Sequence, residues 1–379
     1  GLGLALVAAQ KGYQLIIVLP DKMSQEKIFN LRAMGAEVIL TRSDVGRGHP
    51  EYYQDLGASI AKERGAYFIN QFGNPDNPLA HEVGTAPEIL EQMDGDVDAI
   101  VLGVGSSGTV AGISAYLKKH APDVDLVLAD PVGSILTDYI NKGEVGEGGS
   151  WLVEGIGEDF IPVIADFDKV VKAYAISDAE SFSTARELLR KEGLLAGSSS
   201  GTLLAAALRY CREQSEPKRV VTFACDTGNK YLSKLYNVFW LEDQGFVTRE
   251  QHGDLRDLIG RPHSEHATVT VGPNDVVTTA HNRLRNAGFS QLPVMEGGKL
   301  IGVITEDAII HFVYGHPDLM GAPVRDAMES AFIKLDKSES LNNLVAMLRV
   351  QPYAAIMDGD EFLGLITRSD VLNYLRRDV

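Results

Sequence analysis

Only two of the 379 residues are cysteine and two are tryptophan, and no apolar run approaches the length needed to span a membrane. Two thiols cannot build a disulfide framework. Cys211 and Cys225 show no metal-ligand spacing, so both are expected to be small buried apolar side chains in a reducing cytoplasm. Positive charge is scarce as well: 35 Lys and Arg face 52 Asp and Glu, for a formal net charge of -17. With no basic block, the chain lacks the electrostatic footprint of a nucleic-acid or anionic-membrane binder, and small molecules are the expected partners. The nine histidines have no ligand spacing. His49, His252, His263, His266 and His316 lie in polar stretches and His281 and His311 suit helix faces, so no metal site is expected. An initiator methionine is also lacking. The opening GLGLALVAAQKGY reads as a helix from the interior of a fold, without the cationic flank or cleavage site of a signal peptide, and a preceding segment is expected.

What is present is an ordinary globular composition, 45% hydrophobic and 23% charged, long enough for two domains. To about residue 240, short apolar runs alternate with helical segments: QLIIVL, a helix over 24–34, AEVIL, a helix over 51–64, AYFI, a helix over 81–93, AIVLG, a helix over 109–119, then LVLAD and VVKAYAIS. That alternation predicts a doubly wound α/β sheet. Within it, VLGVGSSGTVAG at 101–112 carries a strand through a glycine turn into a helix, an arrangement that points free amides at an anion. Gly103, Gly105 and Gly108 spell G-x-G-x-x-G, and Asp130 lies about where a dinucleotide fold keeps its ribose acid. Read alone, the turn suits a dehydrogenase. Its hydroxyls, Ser106, Ser107 and Thr109, suit a terminal phosphate monoester better, and no hydride-transfer constellation accompanies the glycines. A second such turn, Gly197 to Gly201, opens another helix and has the residues of either an N-cap region or a ligand turn.

Residues 241–262 turn polar and read as a linker. Beyond them LIGVITEDAII at 300–310 recurs as FLGLITRSDVL at 362–372, each copy preceded by a helix, over 276–287 and 339–349. The duplicated segment resembles a tandem pair of cystathionine-β-synthase-type motifs, a Bateman module. The resemblance implies an adenine-type ligand held by a Thr and an Asp in each copy. Thr367 and Asp370 keep the family spacing; in the first copy Thr305 is followed by Asp307, with Ala308 where the acid belongs. A purely structural pair is the alternative.

Residues 1–240 resemble fold-type II pyridoxal-phosphate enzymes of the cysteine-synthase and cystathionine-β-synthase group. The resemblance implies pyridoxal 5'-phosphate as cofactor, its phosphate in the turn Gly105-Ser106-Ser107-Gly108-Thr109. Gln71, in the stretch NQFGNPDNPLAH, would reach the substrate carboxylate. Gly155, Ile156 and Gly157, in EGIGEDFIP, would form the substrate-side loop, whose Asp is closer to the cystathionine-forming branch. Thr227, in CDTGNKYL before a helix over 229–236, would face the pyridine nitrogen, and its neutral hydroxyl leaves the ring a weaker electron sink than an Asp would, favouring β-replacement over transamination. The family's Schiff-base lysine belongs to a segment expected upstream of Gly1; Lys11 and Lys22 lack its context. The implied architecture is a catalytic domain at 1–240, a linker at 241–262 and a tandem module at 263–379. The implied activity joins L-serine to homocysteine, with cysteine able to replace serine and release hydrogen sulfide. Cysteine synthesis from O-acetylserine and sulfide, or a non-catalytic nucleotide sensor, are the alternatives. A homodimer or larger assembly is expected.

Overall fold

Runs that are apolar at every position suit strands covered on both faces, and the computed structural model, which describes residues 1–377, puts such runs at the centre of a parallel sheet. The chain divides into two units, Gly1–Asn237 and Val238 onward. In the first, α1 (Leu2–Lys11), β1 (Ile16–Pro20), α2 (Gln25–Ala33) and β2 (Glu37–Thr41) form a small lobe in which β1 and β2 pair in parallel and Ala5, Leu31 and Ala36 make the core. Next come α3 (Tyr53–Arg64), α4 (Asp76–Ala80), a π turn at His81–Thr85, α5 (Ala86–Gln92), β3 (Ala99–Gly103), α6 (Gly108–His120), β4 (Asp125–Pro131) and α7 (Leu136–Lys142). The unit closes with β5 (Val170–Ile176), α8 (Asp178–Glu192), α9 (Ser198–Arg212) and β6 (Val220–Thr222).

These last strands form a four-stranded parallel sheet in the order β5-β4-β3-β6. Ile100, Val101, Leu126, Val127 and Leu128 are fully buried in β3 and β4. After β3 the chain winds outward through β4 and β5, then returns to the other side of β3 with β6. The strand order therefore reverses between β3 and β6, and in such sheets the crevice at the carboxyl ends of the strands flanking that switch is where ligands bind.

Four local expectations fail. Residues 66–69 form no strand and pair with none among the described residues, and Tyr67 is 81% exposed. The helix expected over 229–236 is a single 3-10 turn, Gly228–Lys230. The helix over 81–93 is interrupted by the π turn. Both cysteines are exposed, Cys211 in the last turn of α9 and Cys225 just past the last paired residue of β6.

The second unit begins with α10 (Val238–Asp243), and Leu241, Leu255, Leu258 and Ile259 of the polar stretch bury themselves in it. It continues through α11 (Val277–Ala287), β7 (Gln291–Glu296), β8 (Lys299–Thr305), α12 (Glu306–Val313), α13 (Val324–Ala327), β9 (Lys334–Asp336), α14 (Leu341–Met347), β10 (Tyr353–Asp358), β11 (Glu361–Thr367) and α15 (Arg368–Arg377). Antiparallel hairpins β7-β8 and β10-β11 repeat each other in detail: Gln291 opposite Thr305, with a bulge after Val294, recurs as Tyr353 opposite Thr367, with a bulge after Ile356. Each hairpin feeds a helix, as the internal repeat requires. No helix among the described residues is long and apolar enough to cross a membrane.

Candidate active site

At the switch point, β3 delivers its chain to Val104 and Gly105, and α6 begins at Gly108. Ser107 is the cap residue and sits at φ 73°, the left-handed region, which is unusual for a residue with a side chain. It is 3% exposed, and its hydroxyl is buried without a hydrogen-bond partner. The N–H groups of Gly108, Thr109 and Val110 open the helix and have no carbonyl one turn earlier to bond. A strained cap, a buried orphan hydroxyl and free amides at the start of a 13-residue helix form a cradle for a compact anion. A phosphate monoester fits it. Asp130, by contrast, is engaged as a helix cap: Thr137 donates its N–H and its hydroxyl to Oδ2, both at 2.9 Å, and burial holds the carboxyl up at about 6. Its Oδ2 is thereby committed to α7, while its Oδ1 is buried without a hydrogen-bond partner.

Two segments are drawn onto the turn by close backbone approach. A Cβ on Gly108 would lie 2.0 Å from Asn77 Oδ1, and one on Gly105 would lie 2.8 Å from the Gly155 carbonyl oxygen. The first contact brings in the Gln71 segment. Asn77 Nδ2 donates to the Gln71 carbonyl at 2.9 Å and to Ser106 Oγ at 3.0 Å, so one amide ties the loop of Gln71 to the turn while the Gln71 side chain stays exposed. The second contact brings in the loop of Gly155, Ile156 and Gly157. The Gly157 N–H donates to the Val104 carbonyl at 2.8 Å, and Trp151 Nε1 holds the Ile156 carbonyl at 2.9 Å. Phe72 and Phe160, one from each segment, meet with ring centroids 5.6 Å apart.

Behind this loop, Glu154 is anchored between Lys27 and Lys234, each with its ammonium 2.7 Å from the carboxylate. Glu158, four residues later, is only 8% exposed, and burial together with the nearby Asp159 charge pushes its carboxyl up to about 9. It therefore carries a proton across the neutral range, and its Oε1 lies 3.9 Å from where a Gly105 Cβ would stand. Thr227 lies across the switch point, paired with Ala196 after β6; it is exposed, and its hydroxyl accepts from the Asn229 N–H at 3.3 Å. In the Gly197–Gly201 turn, Ser198 Oγ accepts from the Glu154 N–H and Ser200 Oγ from the Cys225 N–H. Lys11 is exposed at the end of α1, and Lys22 sits 5.0 Å over the Trp151 ring.

In the second unit the expected nucleotide pairs face their own chain. Thr305 caps α12 through the Ala308 N–H at 2.9 Å, and its hydroxyl donates to Glu329 at 3.3 Å. Asp307 points to solvent, 3.6 Å from His311. Thr367 gives both its N–H and its hydroxyl to Asp370, at 2.7 and 2.6 Å, and a Cβ on Gly260 would lie 2.5 Å from the other carboxylate oxygen. No group of three potential metal ligands occurs among the described residues.

Asn77, His81 and Glu158 are functional candidates that the sequence reading did not single out. Their contacts join segments far apart in the chain, and only the N-P-D-N-P run around Asn77 hinted at a built loop.

The family model described as pyridoxal-phosphate dependent enzyme matches residues 1–226, and the CBS domain model matches twice, at 264–315 and 324–377. The chain belongs to the pyridoxal-phosphate-dependent enzymes. It is 35% identical over 397 aligned residues to cystathionine beta-synthase of Dictyostelium discoideum, covering 100% of this chain and 78% of the relative. It is 39% identical over 237 residues to cysteine synthase A of Escherichia coli K12, covering 62% of this chain and 73% of the relative. Among solved structures, a hydrogen sulfide-producing enzyme from Fusobacterium nucleatum matches with a TM-score of 0.55 and 34% identity, over 61% of this chain and 75% of that one. This pyridoxal-phosphate enzyme thus carries, after its catalytic fold, the paired CBS domains that its internal repeat announced.

Proposed function

We propose that this enzyme exchanges the β-substituent of L-serine for the thiol of L-homocysteine, forming L-cystathionine and water. With L-cysteine as first substrate the leaving group is sulfide. The observation that carries this reading is the meeting of three segments at one switch point: an anion cradle, a loop presenting Gln71 and a glycine loop open to a second substrate. Similarity to cystathionine beta-synthases along the whole chain, repeat included, supports it over cysteine synthesis.

When bound, pyridoxal phosphate supplies an electron sink that makes the α-proton and β-substituent of an amino acid labile. Gly105, Ser106, Ser107, Gly108 and Thr109 would hold its phosphate through free amides and hydroxyls, with the N-terminal end of α6 behind them. The Thr227 hydroxyl would serve the pyridine nitrogen as a neutral partner, one that does not hold a proton there. Gln71 orients the substrate carboxylate by donating its side-chain amide. Gly155, Ile156 and Gly157 bring the second amino acid close to backbone. Glu158 stays protonated beside the turn and adds no negative charge where phosphate and carboxylates gather.

The test is product analysis with the holoenzyme. L-serine plus L-homocysteine should yield cystathionine, and L-cysteine plus L-homocysteine should yield cystathionine and sulfide. Efficient cysteine formation from O-acetylserine and sulfide, with no cystathionine from either pair, would overturn the reading.

A further inference from the structure

Displacing the hydroxyl of serine makes one chemical demand that the anion cradle and the two loops do not meet. Hydroxide is a poor leaving group, so the oxygen must take up a proton as its bond to the β-carbon breaks. A donor for that step has to keep its proton at neutral pH, stand beside the crevice and be free of acceptors within the protein.

Glu158 meets all three conditions. Its backbone is pinned at the carboxyl ends of β3 and β4: the Gly157 N–H donates to the Val104 carbonyl at 2.8 Å, the Glu158 N–H to Ser134 Oγ at 3.1 Å, and the Glu158 carbonyl accepts from the Ile135 N–H at 3.0 Å. These bonds aim the side chain. Its Oε1 lies 3.9 Å, and the Gly155 carbonyl oxygen 2.8 Å, from the point where a Cβ on Gly105 would stand, so the carboxyl sits where the anion turn meets the glycine loop. Among the described residues no hydrogen bond claims its carboxyl oxygens; only its backbone is bonded. Burial and then the Asp159 charge keep the proton on, with Asp130 adding to them and Lys22 opposing. The other buried acids nearby are engaged: Glu154 is paired with Lys27 and Lys234, and Asp130 takes two hydrogen bonds from Thr137.

We infer that Glu158 is a catalytic acid, whose carboxyl proton passes to the departing β-oxygen of L-serine so that it leaves as water. The inference rests on the serine and homocysteine reading above. The electron pair of the Cβ–O bond stays with oxygen, and Glu158 is left as a carboxylate. It recovers its proton from the homocysteine thiol, whose sulfur forms the new bond to the β-carbon. The α-proton leaves and returns to the same carbon, so the sum is cystathionine and water.

Glu158→Gln keeps the shape of the side chain and has no acidic proton to give. The holoenzyme is supplied with L-homocysteine and either L-serine or O-acetyl-L-serine; both yield cystathionine, but acetate leaves as a stable anion and needs no acid. In the variant, kcat/KM for serine relative to that for O-acetylserine is expected to fall about a hundredfold, the lower end of what a general acid contributes. Glu158→Asp, with an acid on a shorter arm, should recover part of that ratio. A second readout uses the apo chain: the infrared difference between wild type and Glu158→Gln at neutral pH should show the carbonyl stretch of one protonated carboxyl. A ratio unchanged in Glu158→Gln and in Glu158→Asp, or a carboxylate band in place of the carboxyl one, would overturn the inference. Wild-type enzyme that forms cystathionine from O-acetylserine alone would overturn the serine reading itself, a failure visible before any variant is compared.

Discussion

At the start of α6, Ser107 buries a hydroxyl that bonds to nothing, whereas just before α15 Thr367 gives its hydroxyl and its N–H to Asp370, three residues on. Thr305 at the start of α12 is closed in the same way, by the Ala308 N–H and by Glu329. All three are hydroxyl residues at helix starts, and the family resemblance implies a ligand for each of them. The structures around them differ in who satisfies the hydroxyl. Where the chain brings its own acid, the hydroxyl is satisfied from within. Where it leaves a buried oxygen and three amides open at a strained backbone position, an anion from outside completes the site.

The strongest way to break this contrast is to fill the cradle. Gly108→Ala puts a methyl 2.0 Å from Asn77 Oδ1, so Asn77 must leave both Ser106 and Gln71. Pyridoxal phosphate affinity, followed by equilibrium dialysis, should fall about a hundredfold, the scale of two lost hydrogen bonds in a charged site. A second variant tests the charge balance beside the cradle. Glu158 titrates at about 9 when folded and near the ordinary carboxylate value when unfolded, so the folded state holds more protons and stability falls as pH rises between the two. Glu158→Gln should remove that slope. Denaturant midpoints should show a gain on the order of 3 kcal/mol at pH 7 and almost none at pH 4.

On the closed side, Glu329→Ala removes the acceptor of the Tyr353 hydroxyl, 2.9 Å away in a side chain 1% exposed, and leaves that hydroxyl only the Gln351 Nε2 donor. A loss of about 2 kcal/mol in the stability of the second unit is expected, with cofactor affinity unchanged. The smallest effect sharpens the comparison further. Thr367→Val should cost about 1 kcal/mol, the ordinary value of a helix cap, in a thermal melt, again without touching the cofactor.

Much of this was legible in the residues because it is local. Apolar runs at 99–102 and 126–128 announced buried parallel strands, and VGSSGT announced a turn that opens a helix. The internal repeat is legible for the same reason, since copied residues copy their bulges. What sequence could not reach depends on neighbours distant in the chain. The 66–69 run has strand-forming residues but pairs with no strand among the described residues. The π turn at 81–85 exists because Gly112 lets another helix approach, and nothing within HEVGT records that. Glu158 reads as one more surface acid until the fold buries it against Gly105. Thr367 and Asp370 have the spacing of a ligand pair and of a self-contained cap, and the residues alone do not separate the two.

Ser107→Ala tests the central contrast most directly, because it deletes one oxygen that the protein itself does not use. Melting of the apo chain and titration with pyridoxal phosphate, compared with wild type, give both halves of the answer. The account predicts an apo melting temperature equal to or above wild type, since an unsatisfied buried hydroxyl is gone, together with about tenfold weaker cofactor binding. A destabilised apo protein with unchanged affinity would show that Ser107 belongs to the fold, and that the turn after β3 is closed like its counterparts in the second unit.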